Sequence, residues 1–91
     1  MRRVRVNPGY VRAVRKLDRG VAKRANAALV KFQADPNRPG LNFEPVTGAP
    51  GYFTIRVNRN FRILLRRERD AAGELYAAVD VARHDEAYRR R

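Results

Sequence analysis

The spacing of apolar positions changes several times along this chain, and each change marks an element. Val4 and Val6 alternate with Arg3 and Arg5, which predicts a short strand over 3–6. Asn7-Pro8 follows. Asparagine suits a helix N-cap, and proline at the first helical position gives up no donor that the helix needs. Tyr10, Val11, Val14 and Leu17 then recur at helical spacing to about Asp18. Gly20 interrupts the pattern. A second helix runs to about Ala34 on a stripe of Val21, Ala25, Ala28, Leu29 and Phe32, and Asp35-Pro36 ends it. The two helices form a hairpin whose outer faces hold Arg12, Arg15, Lys16, Arg19, Lys23, Arg24 and Lys31.

From Pro36 to Gly51 the chain is rich in Pro, Gly and Asn and reads as a long loop, which Leu41, Phe43 and Val46 pin to the core. A β-meander follows. Phe53, Ile55 and Val57 alternate with Thr54 and Arg56, and Asn58-Arg59-Asn60 makes a tight turn because asparagine tolerates positive φ. Phe61, Ile63 and Leu65 repeat the inward set, with Arg62, Leu64 and Arg66 opposite. After a turn at Asp70 to Gly73, Leu75, Ala77, Val79 and Val81 face inward along a last strand to Ala82, and the tail from Asp85 forms a short terminal helix. The predicted fold is therefore α+β in the order β-α-α-β-β-β, with the helical hairpin on one face of an antiparallel sheet. Residues 1–91 make one domain. Strand parity gathers Arg56, Arg62, Arg66 and Asp80 on the other face, with His84 beyond the strand's end. That face is expected to be exposed and lined with arginine.

Size and charge add to this picture. A chain of 91 residues buries only about 60–65% of its unfolded surface. It has no cysteine, so neither disulfides nor a thiolate metal site adds stability, and a binding partner would. No apolar run approaches the length of a membrane span, and the basic start (Arg2, Arg3, Arg5) lacks the apolar region of a signal peptide. Cytoplasmic residence and no membrane partner are the expectations. The net charge is +12. Residues 1–34 hold ten basic groups and one acidic group, so most of the excess lies in the first third. Arginine-rich codon usage contributes to such an excess. A field of this strength nevertheless attracts polyanions and releases their counterions, which favours nucleic acid or an acidic protein as partner.

Three segments resemble one family: the loop Pro39-Gly40-Leu41-Asn42-Phe43-Glu44-Pro45-Val46, the hairpin Ile55-Arg56-Val57-Asn58-Arg59-Asn60-Phe61-Arg62-Ile63, and the ending Val79-Asp80-Val81-Ala82-Arg83-His84-Asp85-Glu86-Ala87-Tyr88. Their order and spacing resemble the RelE/ParE toxin superfamily over roughly residues 4 to 90. The nearest branch is the RelE-like domains that end in a His-Asp-(Asp/Glu)-Ala-Tyr string. The resemblance implies the toxin of a type II toxin–antitoxin pair: an endonuclease that cuts mRNA in the ribosomal A site and so blocks translation. It implies no cofactor and no metal, with an acidic antitoxin, the ribosome and mRNA as partners.

Such cleavage drives the ribose 2′-oxygen onto the adjacent phosphorus. It needs a base, cations around the phosphorane and an acid for the leaving oxygen. Arg62 matches the family's phosphate-stabilising arginine, and its plainer role is that of a solvated strand arginine. Arg56, on the same face, either holds the scissile phosphate or packs beside Arg62 and Asp80. His84 is the only histidine, and imidazole is suited to proton transfer at neutral pH. Tyr88 lies one helical turn further on, where it either stacks on a base or anchors the tail. Arg66, Arg83, Lys23 and Arg24 are expected to touch RNA backbone. Asp85 and Glu86 are base candidates or favourable charges at a helix start. Many family members carry two lysines where this chain has Thr54 and Arg56. Arginine does not deprotonate in proteins, so the base falls to His84, an acidic neighbour or the ribosome. Two rival readings are a ParE-like toxin that poisons DNA gyrase by contact and a non-toxic RNA-binding module.

Overall fold

A computed structural model describes residues 2–84. The predicted terminal helix, Tyr88, Asp85 and Glu86 lie outside the described residues. Strand β1 (Val4–Val6) leads into helix α1 (Pro8–Arg15) and helix α2 (Arg19–Ala34). Strands β2 (Glu44–Pro45), β3 (Tyr52–Arg56), β4 (Phe61–Asp70) and β5 (Gly73–Arg83) follow. The sheet order is β1-β5-β4-β3-β2. The meander is antiparallel as predicted, but β1 runs parallel to β5, so the sheet is mixed. The helical hairpin spans the sheet, carrying the chain from β1 at one edge to β2 at the other.

Local chemistry explains the helix ends, with three departures from the expectation. Asn7 occupies the N-cap position and Pro8 the first turn, but the Asn7 side chain accepts from Arg5 Nε (3.4 Å) instead of capping. Helix α1 stops at Arg15 because Asp18 caps α2, its Oδ1 accepting the Val21 N–H at 3.1 Å. Gly20 thus sits in the first turn of α2 and does not precede it. The β3–β4 turn also works differently. Its asparagines do not take positive φ; Asn58 Oδ1 instead accepts the N–H groups of Asn60 and Phe61, both at 2.9 Å.

The core lies between the hairpin and one sheet face. Tyr10, Ala25, Ala28, Leu29 and Phe32 meet Ile55, Ile63, Leu65, Tyr76, Ala78 and Val81 there. Phe32 is its centre, with ring centroids of Phe43 at 5.0 Å and Tyr76 at 5.3 Å in edge contacts. Leu41 and Phe43 pin the loop to this core as expected. Val46 packs on the opposite face with Ala49 and Leu64. That face is therefore partly covered, not open: Thr54, Leu64, Leu75, Ala77 and Ala82 on it are all buried. Among the described residues no helix is long and apolar enough to cross a membrane.

The inward set expected for β5 fails over most of its length. Leu65 pairs with Ala78, yet Leu64 pairs with Asp80, so Val79 is an extra residue in a β-bulge. Tyr76 and Ala78 face the core before the bulge and Val81 after it, while Leu75, Ala77 and Val79 do not. Helix α1 lies directly on the bulge. A Cβ on Gly9 would stand 2.6 Å from the Val79 carbonyl oxygen. At the far end of the sheet, Gly73 (φ 117°) closes the β4–β5 turn in a conformation reserved for glycine. Beside it Arg3 donates to both oxygens of Asp70, at 2.8 and 3.1 Å. That pair and the Ala72 N–H hold the Asp70 carboxyl down at about 2.

Two outcomes follow. Gly9→Ala should cost about 1–3 kcal/mol in urea unfolding, because backbone on both sides must shift. The Asp70 contribution is fully present above the ordinary carboxylate pKa and is lost as pH falls through about 2. Acid unfolding of Asp70→Asn, followed by circular dichroism, should accordingly be flatter than wild type between about pH 4 and 2.

Candidate phosphate-binding site

The bulge and the turn bring Arg62, Arg83 and His84 to one end of the sheet. Arg62 lies opposite Ala82, and Arg83 opposite Phe61. The His84 N–H donates to the Asn60 carbonyl at 2.8 Å, which fixes the chain just past β5 against the β3–β4 turn. Arg62 Nη1 donates to the carbonyls of Asn58 (2.7 Å) and Phe61 (3.0 Å), so its guanidinium is braced on that turn. Arg83 lies over the Phe61 ring, 5.4 Å from its centroid, which holds a long flexible side chain in place. Arg62, Arg83 and His84 line one hollow of about 420 Å³ with Arg59 and Asn60, and no carboxylate among the described residues lines it. Three guanidinium groups and an imidazole around one hollow supply donors of the kind that phosphate oxygens accept from.

The other predicted residues are placed differently. Arg56 and Arg62 face each other in register across β3 and β4, but Arg56 lines a separate groove with Arg24, Lys31 and Arg38. Arg66 is tied into an ion network: it donates to Glu68 (Nε at 2.6 Å), which also binds Arg5. The hydrogen bond to Glu68, and next the one to Tyr52, raises the Arg66 pKa. Asp80 is placed by β5. It lies in a groove with Arg12, Lys16 and Arg83, and its carboxylate accepts the Val81 N–H at 2.8 Å. Lys23 is exposed on α2 and lines none of these hollows, whereas Arg24 lines the groove of Arg56. Arg59 and Asn60 were not singled out from the sequence, where they served only as turn residues. The arginine at the centre of an Asn-Arg-Asn turn, next to a strand arginine, was the available signal. Arg38 and Lys31 were missed because their groove joins a helix to a loop distant in sequence.

No protein-family model matches the sequence and no curated protein matches it. Solved structures do match. The YoeB/ParE toxin from Agrobacterium tumefaciens superposes with a TM-score of 0.69 at 14% identity, covering 90% of this chain and 98% of that one. A mutant of the E. coli toxin RelE in its free state gives 0.68 at 15% identity, covering 97% and 90%. The RelBE2 toxin–antitoxin complex from Mycobacterium tuberculosis gives 0.59 at 24% identity, covering 91% and 98%.

Arg66→Ala should lower stability by about 0.5–1 kcal/mol in urea unfolding, since Glu68 loses one of two guanidinium partners. Arg62→Ala should cost about 1 kcal/mol through its two turn carbonyls and still fold.

Proposed function

From a chain that carries the RelE/ParE toxin-superfamily fold, we propose a toxin of a type II toxin–antitoxin system that cleaves mRNA on the ribosome. The observation that supports this reading best is the hollow shared by Arg62, Arg83 and His84. Cleavage transfers the 2′-hydroxyl proton to a base as the 2′-oxygen bonds to phosphorus. The phosphorus–5′-oxygen bond then breaks, the 5′-oxygen takes up a proton, and a 2′,3′-cyclic phosphate remains. Negative charge builds on the non-bridging oxygens in between, where Arg62 and Arg83 offer charge-assisted donors already held in place by the turn and by Phe61. Arginine serves this role and not the base's, so the proton transfers fall to His84 and groups outside this hollow. The substrate's bases must be splayed to expose the ribose, and guanidinium planes are one surface on which bases stack.

Several structural neighbours were solved as toxin–antitoxin complexes. An acidic antitoxin segment fits a chain of net charge +12, and binding it would add stability to a small domain. The ribosome's rRNA offers the same negative charge to the exposed helix residues.

Expression of the chain should arrest growth, and primer extension on cellular mRNA should show codon-positioned cuts. Arg62→Ala should lower cleavage at least about 100-fold while the chain stays folded. His84→Ala should lower the single-turnover rate more than ribosome affinity. A toxic Arg62→Ala chain that still cuts mRNA would remove this site, and gyrase-linked DNA damage without mRNA cuts would transfer the reading to a gyrase poison.

A further inference from the structure

The second basic groove lies apart from the hollow just described. It runs between α2, the loop around Arg38 and the end of β3, and encloses about 350 Å³. Arg24, Lys31, Arg38 and Arg56 line its rim, and Ala28 and Leu41 belong to its floor. The floor is built, not incidental: the Arg56 N–H donates to the Leu41 carbonyl at 2.6 Å, which fastens the loop to β3. Among the described residues none of the four cations makes a side-chain hydrogen bond or ion pair, and no carboxylate lines the groove. Four like charges gathered without counterions repel one another, and a polyanion relieves that repulsion.

We propose that this groove holds a nucleotide of single-stranded RNA away from the reacting bond, its base or ribose over the small apolar floor and its flanking phosphates on Arg24 and Arg38. The volume lies within the range of small-ligand sites, and the charge pattern suits a phosphodiester. Arg56 and Arg62 are register partners at the hairpin end of β3 and β4 and each lines one of the two hollows, so a strand bound in both would pass that end of the sheet. The proposal rests on the nuclease reading only for the identity of the strand; its binding is measured separately.

The test uses the full chain and a fluorescent 2′-O-methyl RNA decamer, which lacks the attacking hydroxyl, with anisotropy read over a salt series. Arg24→Ala/Arg38→Ala should weaken binding about tenfold and make the log–log salt slope shallower by about 1.4, the value for two single-strand phosphate contacts. Arg15→Ala/Arg19→Ala removes the same charge elsewhere and should move the slope less than half as far. If the two double variants behave alike, or if wild type does not bind the decamer in a salt-dependent way, the groove proposal is overturned. Poly-glutamate of equal charge that displaces the decamer more strongly than unlabelled RNA would also overturn it, in favour of a protein partner. None of these results bears on Arg62, whose variant is judged by cleavage. A failed groove and a failed nuclease site are therefore distinguishable.

Discussion

One extra residue in β5 sets the register on which the rest of the molecule depends. Continued without the bulge, the pairing of Leu65 with Ala78 would place Asp80 opposite Ile63, a charged side chain in a fully buried position. The bulge at Val79 puts Val81 there instead and turns Asp80 to the other side. It also advances everything downstream by one position. Arg83 comes to lie across from Phe61, and His84 against Asn60. The core and the basic hollow at the end of the sheet are thus settled by the same irregularity, and Gly9 is the residue that lets α1 close over it.

Charge is sorted along the sheet in a way that the net value conceals. Glu68, Asp70 and Glu74 gather five arginines (Arg2, Arg3, Arg5, Arg66 and Arg67) around β1 and the β4–β5 turn. Those pairs are partly solvent-exposed and contribute little each, and the three carboxylates offset only part of the positive charge there. At the β3–β4 end two hollows are lined by seven Lys and Arg residues and no carboxylate among the described residues. Both hollows lie at the end of the sheet where Arg62, Arg83 and His84 stand.

The elements were legible in the residues because each has a period of its own. Val4 and Val6, the stripe from Val21 to Phe32 and the alternation from Phe53 to Leu65 name a strand, a helix and a hairpin without reference to any neighbour. The family's fold and the candidacy of Arg62, Arg83 and His84 were legible in the same way, since order and spacing along the chain survive in the sequence. Asn7 and Asn58 were readable in kind but misjudged in use, because a short polar side chain can cap, turn or bridge with equal ease.

The tertiary fold settled whatever depended on residues meeting across the chain. Strand parity put Leu75, Ala77 and Val79 inward. The bulge reversed this because two segments packed against each other, and not one segment alone, choose where a strand slips. The same reason commits Arg66 to Glu68 and covers the far face with Val46 and Ala49. Periodicity reports which way a side chain leaves its own backbone. What it meets there is decided by the packing of elements distant in sequence.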